Sequence, residues 1–143
     1  MLRRRSHIRD SPGVRYPAYV YSASWVRAAY GSLDDAFAEL PHEVCYSVKA
    51  NPNLAVCSLL AGLGAGADVV SGGELARALR AGFAPEKIVF AGVGKDRDEM
   101  AQAVRAGIML FSVESEGELR TLSQVASGLG ATASVGIRVN SGR

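Results

Sequence analysis

Five stretches of apolar and β-branched residues recur along this chain: Val44 to Val48, Ala67 to Val70, Ile88 to Ala91, Ile108 to Val113 and Ala133 to Val139. Their starts fall roughly every 20 to 25 residues, the length of one strand, one loop and one helix of three turns. Between them the apolar residues take helical spacing: Leu54, Leu59, Leu60 and Leu63, then Leu75, Leu79 and Phe83, then Met100, Ala103, Val104 and Ile108, then Leu119, Leu122, Val125 and Leu129. Arg80-Ala81-Gly82 and Arg105-Ala106-Gly107 close two successive helices with the same tripeptide, glycine standing where a left-handed cap is wanted. Ser71 with Glu74, Asp96 with Glu99 and Ser115 with Glu118 have capping-box spacing at helix starts. A βα unit is being repeated.

Strands that read as continuous apolar runs, each followed by a helix, imply a parallel sheet covered on its outer side. Two architectures fit. A doubly wound sheet is complete with about five strands, whereas a (β/α)8 barrel needs eight and about 250 residues. The length of 143 residues favours the first. The regular beat, and the lack of Gly-x-Gly-x-x-Gly after the first strand, favour the second. Both put function at the carboxyl ends of the strands. Ahead of the repeat, Tyr16-Pro17-Ala18-Tyr19-Val20-Tyr21 reads as a short extended segment, and Ser22 is placed to cap a helix through Trp25, Val26, Tyr30 and Leu33. No linker interrupts the chain, so it is one domain or a piece of one.

Composition narrows the function classes. With 48% hydrophobic and 21% charged residues the chain is of the soluble globular kind. Much of the net charge of +2 sits in a basic head, residues 1–15, where Arg3, Arg4, Arg5 and Arg9 cluster; this head is expected to be disordered. The remainder is slightly acidic, which argues against a nucleic-acid surface. No run has the length of a membrane span, and no apolar stretch follows the arginines as a secretory signal requires. Cys45 and Cys57 lie on apolar faces without metal-ligand spacing, as reduced core thiols of a cytoplasmic protein do.

One charge stands out of place. Lys49 closes the run Val44-Cys45-Tyr46-Ser47-Val48 and is followed by Ala50-Asn51-Pro52-Asn53. An ammonium at the end of a buried strand is costly unless it is paired, neutralised or used in chemistry. Many strands end in a lysine that simply reaches solvent. The chemical use that suits the position is covalent, a Schiff base with a carbonyl compound such as pyridoxal phosphate.

Six segments decide between these. Residues 16–21, Cys-Tyr-Ser-Val-Lys-Ala-Asn at 45–51, Gly-Ala-Asp-Val-Val-Ser-Gly-Gly-Glu-Leu at 66–75, Val-Phe-Ala-Gly-Val-Gly-Lys at 89–95, Phe-Ser-Val-Glu-Ser-Glu at 111–116 and Ile-Arg-Val-Asn at 137–140 resemble, in order and spacing, the N-terminal barrel region of the diaminopimelate decarboxylase family. Ornithine and arginine decarboxylases share the lysine segment, but Val-Ser-Gly-Gly-Glu-Leu and Ala-Gly-Val-Gly-Lys are similar to the diaminopimelate branch.

The resemblance implies a partial (β/α)8 barrel of the alanine-racemase-like, pyridoxal-phosphate-binding kind at 16–143, with about five parallel strands present. It implies Lys49 as the Schiff-base lysine, and decarboxylation of meso-diaminopimelate to L-lysine in lysine biosynthesis by a homodimeric parent enzyme. Asp68 resembles an acid near that lysine, and Arg138 an arginine on the cofactor side of the barrel, placed to pair with Asp68. Gly92-Val93-Gly94-Lys95 is expected to be a tight βα turn rather than a phosphate loop. His7 and His42 lie outside every motif, and Glu43 and Glu114 have no visible partner, so all four fall outside the proposed site. Against the family, the chain is expected to stop mid-barrel, lacking three strands, the ring-stacking histidine, the glycine-rich phosphate site, the acid at the pyridine nitrogen and a C-terminal β domain. The expectation is therefore an inactive piece of an active parent. The alternatives are a non-catalytic piece that regulates a full-length partner, and a racemase-like or cofactor-carrier barrel.

Overall fold

Two signals in the chain govern where each element stops: apolar runs of alternating direction, and the polar or glycine residues that end them. The structure, a computed structural model, describes residues 19–141. The basic head, and Tyr16 to Ala18 of the extended segment, lie outside the described residues. A helix comes first, α1 (Ala23–Ala36), followed by β1 (Cys45–Ser47), α2 (Leu54–Ala61), β2 (Gly66–Val69), α3 (Gly72–Ala81), β3 (Ile88–Phe90), α4 (Arg97–Ala106), β4 (Leu110–Val113), α5 (Glu116–Gly128) and β5 (Val135–Ile137). Tyr19 to Tyr21 form no strand and are exposed.

All four strand pairings are parallel, and the spatial order is the chain order, β1-β2-β3-β4-β5. That order decides between the two architectures. A doubly wound sheet must reverse its direction of growth to cover both faces with helices, whereas a sheet that adds every strand on the same side is an arc of a barrel.

The register sorts residues onto two faces. On one, Ala67, Val69, Ile88, Phe90, Phe111 and Val113 are buried against Leu75 and Ala78 of α3, Met100 and Ala103 of α4, and Leu122 and Val125 of α5. Phe90 and Phe111 stack with centroids 6.2 Å apart, each burial stabilising by roughly 1.5–3 kcal/mol. On the other face Ser47, Asp68, Val89 and Leu110 form one cross-strand row of half-buried residues. This is the inner face of the arc.

Helix ends follow the expected chemistry. Gly82 and Gly107 hold the left-handed cap conformation, φ +96° and +70°, which costs a residue with a Cβ about 1–2 kcal/mol. Asp96 and Glu99 complete a reciprocal capping box. Ser22 occupies the first cap position of α1, but its hydroxyl pairs with Ser24 Oγ at 2.8 Å instead of a backbone N–H. The fifth strand is shorter than its apolar run suggests: Val135, Ile137 and Val139 are exposed, because among the described residues nothing packs on them. No helix among the described residues is long and apolar enough to cross a membrane, and none of them form a metal-holding group of three or more His, Cys, Asp or Glu.

The far end of α1 is tied down by His42, whose ring contacts Leu40 O at 2.9 Å and Asp34 Oδ1 at 3.1 Å and tilts against Phe37. The Leu40 carbonyl, and after it the Asp34 side chain, hold the imidazole above its ordinary value. A raised folded value means that the tie is complete below the ordinary histidine range and is lost as pH rises through the folded value. Melts followed by the fluorescence of Trp25, the one tryptophan, are expected to shift to lower temperature between about pH 6 and about pH 8. His42→Ala is expected to flatten that dependence.

Candidate functional site

The carboxyl ends of all five strands lie on one rim of the sheet, and the candidate lysine sits there two residues past the end of β1. Val48-Lys49-Ala50 form a single 3₁₀ turn directly after β1. The turn cannot lengthen into a helix, because Asn51 precedes Pro52 and is driven to extended backbone, φ −157° and ψ 100°. Asn51 then organises the loop. Its carbonyl accepts the Tyr46 hydroxyl at 3.1 Å, and its Oδ1 accepts the Asn53 N–H at 3.1 Å. Asn53 Oδ1 caps α2 by accepting the Ala55 N–H at 2.9 Å, and Arg77 donates to Pro52 O at 3.0 Å. Burial pushes the Tyr46 phenol up, so it stays a donor.

Lys49 is exposed at this turn, and among the described residues its ammonium has no salt-bridge or hydrogen-bond partner. Of the two placements open from sequence, an enclosed ammonium and one that reaches solvent, the structure shows the second. The 3₁₀ turn lifts the side chain off the end of the strand, and only the preceding Val48 is fully enclosed.

Asp68 lies on the inner face next door. Its register partner is Ser47, two residues before Lys49, and Ser47 Oγ donates to Asp68 Oδ2 at 3.1 Å. The expected Asp68–Arg138 pair does not form. Two strands separate β2 from β5, a span of about 14 Å at the usual strand spacing. Arg138, one residue past β5, instead donates to Glu114 Oε1 at 3.3 Å across the adjacent strand, and its N–H bonds to Val113 O at 2.9 Å. It is not interior to the strand: its side chain is 54% exposed.

Three further residues, Lys95, Glu114 and Glu118, belong to the rim and were left out of the site from sequence; Glu114, without a visible partner there, is paired with Arg138. Lys95 is buried, its side chain 1% exposed, and it stands over the Phe90 ring. Its ammonium donates to Gly92 O and Ser112 O at 2.7 Å and to Glu118 Oε1 at 2.6 Å. Gly92-Val93-Gly94-Lys95 is a short loop between β3 and α4, bent back so that its own lysine donates to the Gly92 carbonyl. Gly92 has φ +90°, and a Cβ there would meet Val70 Cβ at 3.2 Å. Glu118 Oε2 accepts the Glu114 N–H at 2.8 Å. Glu43 and His42 also have partners, Lys87 and Asp34, at the opposite end of the sheet. Capping spacing was the sequence signal for Glu118; nothing comparable marked Glu114, whose partner lies 24 residues on.

The rim helices carry their own acids. Glu74 accepts the Val70 N–H at 2.9 Å, Glu99 accepts both the Asp96 N–H and the Gly72 N–H, and Glu118 takes that of Glu114. A cavity of about 480 Å³ lies between α1, β1 and α2, lined by groups such as Val26, Tyr30, Tyr46 and Leu60. It is apolar and excludes Lys49, so the site is assigned by the amine and not by the cavity. Both cysteines are free thiols, pushed up first by burial, which suits inert packing.

Residues 24–143 match the family described as "Pyridoxal-dependent decarboxylase, pyridoxal binding domain". The chain is 53% identical over 124 residues to the diaminopimelate decarboxylase of Pseudomonas aeruginosa, covering 87% of this chain and 30% of that protein. It is 48% identical to that of Vibrio cholerae with the same coverage. Among solved structures, diaminopimelate decarboxylase from Helicobacter pylori complexed with L-lysine superposes with a TM-score of 0.87 at 43% identity, over 90% of this chain and 32% of that one. The chain thus spans about 30% of the length of the curated relatives it matches.

The loop beneath the lysine yields a direct test. Asn51→Ala removes the acceptor for the Asn53 N–H, and is expected to cost about 0.5–1.5 kcal/mol in urea unfolding. Hydrogen exchange should quicken more at Asn53 than at the β3 and β4 amides, which report only the global loss.

Proposed function

The chain belongs to the pyridoxal-dependent decarboxylases, by way of their pyridoxal-binding domain, and from that membership we propose that Lys49 is the residue that carries pyridoxal phosphate. The carrying observation is the state of the lysines. The sequence has three, Lys49, Lys87 and Lys95. Lys87 is bound to Glu43 and to Gly64 O, and Lys95 is buried with three acceptors. Lys49 alone among them has a free, accessible amine among the described residues.

The donor set fits the carbonyl end of the group. When bound, pyridoxal phosphate supplies an aldehyde that condenses with amines and a ring that takes up the electrons left as carbon dioxide departs. Lys49 offers the amine. Asp68, one oxygen held by Ser47, presents a carboxylate on the adjoining strand end as a proton acceptor. Arg138 supplies a guanidinium at the same rim, the side chain suited to an anionic group. The N-termini of α3, α4 and α5 carry carboxylates already, so the phosphate is assigned to residues beyond these.

For the whole protein we infer decarboxylation of meso-diaminopimelate to L-lysine, as a cytoplasmic homodimer. The relatives near 50% identity and the lysine held by the Helicobacter pylori structure support the reaction; the homodimer and the compartment rest on the family resemblance alone. The described residues carry the amine without a complete site, so turnover is assigned to the longer protein, with 16–143 as one part of its barrel. A second reading, a non-catalytic piece that adds to a full-length partner, is favoured by the free edges that β1 and β5 present among the described residues. Titration against a full-length relative separates the two, since only the second gives a stoichiometric heterocomplex.

Borohydride reduction in the presence of pyridoxal phosphate, followed by peptide mapping, is expected to mark Lys49, with Lys87 and Lys95 marked at less than about a tenth of its rate. Lys49→Ala should abolish the principal label. Equal marking of all three lysines, or none at Lys49, overturns the assignment.

A further inference from the structure

Lys95 is the one buried charged residue among the described residues, and the reading of Lys49 makes no use of it. A buried ammonium is tolerated only when each of its protons is matched. Here the three acceptors come from three successive segments: Gly92 O in the loop after β3, Ser112 O within β4, and Glu118 Oε1 in the first turn of α5. The second oxygen of Glu118 is committed as well, to the Glu114 N–H at 2.8 Å. Glu114 in turn accepts from Arg138 at 3.3 Å, while the N–H of Arg138 is fixed by Val113 O at 2.9 Å.

Each link constrains the next. A carboxylate has two oxygens, and the angle between their bonds is fixed, so holding one on Lys95 aims the other at the Glu114 backbone. Fixing that backbone sets where the Glu114 side chain leaves the rim, and hence where an exposed guanidinium finds its partner. Without Lys95, an arginine that is 54% exposed has little to hold it, since surface pairs by themselves contribute about 0–1 kcal/mol. We propose that Lys95 is a positioning residue for Arg138, acting through Glu118 and Glu114. The proposal rests on the preceding reading only for the placement of Arg138 on the cofactor side of the rim.

The 143-residue chain serves for the test, with two nuclear magnetic resonance readouts that a general loss of stability would not mimic. Glu114→Gln is expected to move the Arg138 Nε–H resonance in the parent background, and to move it by less than about a third as much in a Lys95→Met background, as a double-mutant cycle requires of coupled groups. Amide exchange at Glu114 should speed up about tenfold in Lys95→Met while Gly72, held by Glu99, is unchanged. Glu99→Gln is the control and should show the reverse, a faster Gly72 amide with the Arg138 coupling intact. Should Lys95→Met fail to fold, Glu118→Gln cuts the same relay one step later and is expected to reduce the coupling equally. Undiminished coupling in the variant that folds, or Glu114 and Gly72 amides quickening together, overturns the proposal. Absence of a pyridoxal phosphate label at Lys49 leaves both readouts standing and counts against the cofactor reading alone.

Discussion

Parallel pairing is the constraint from which the rest of this molecule follows. A strand can meet a parallel neighbour only through a crossover long enough to carry the chain back along the sheet, and here every crossover is a helix of 8 to 13 residues. Because each helix must bury an apolar stripe on the same face of the sheet, that face holds Phe90, Phe111 and their neighbours at almost no exposure. The other face is left for polar work, and all strands deliver their last residues to one rim. Lys49, Asp68, Lys95, Glu114 and Arg138 share that rim as a consequence of direction of travel, before any contact between them is considered.

The rim also has to satisfy the backbone groups exposed where strands end and helices begin. Orphan N–H groups gather there, and the chain answers with carboxylates: Glu74, Glu99 and Glu118 each accept one or two of them. Glu99 reaches back to Gly72 and so joins α4 to the start of α3, and Glu118 joins α5 to the β3–α4 loop through Lys95. Local capping thereby becomes a means of fixing one repeat against the next.

Much of this was legible in the chain. The strands, five helices and the glycine caps were readable because their determinants lie within a few residues of one another, and the family resemblance placed them in a pyridoxal-binding barrel. What could not be read was anything set by distance across the sheet. Asp68 and Arg138 look like a pair on charge alone, yet two intervening strands part them, and Arg138 takes the acid on the adjacent strand end. Barrel and doubly wound sheet share the same string of elements, so only the spatial order of strands separates them. Whether Lys49 is enclosed at its strand end or reaches solvent was left open by position alone; Pro52 and the 3₁₀ turn before it bring the side chain to the surface.

The cations of this chain are unevenly divided. Of sixteen lysines and arginines, three are lysines. A guanidinium keeps its proton and its delocalised charge at any physiological pH and is a poor partner for aldehydes, whereas a lysine amine is a ready one. Lys95 is buried among acceptors, and Lys87, though 39% exposed, is paired with Glu43 and Gly64 O, so Lys49 is the lysine whose amine has no partner among the described residues. The uneven division thus narrows the side chains that compete with Lys49 for an aldehyde to two lysines, because the other thirteen cations are arginines.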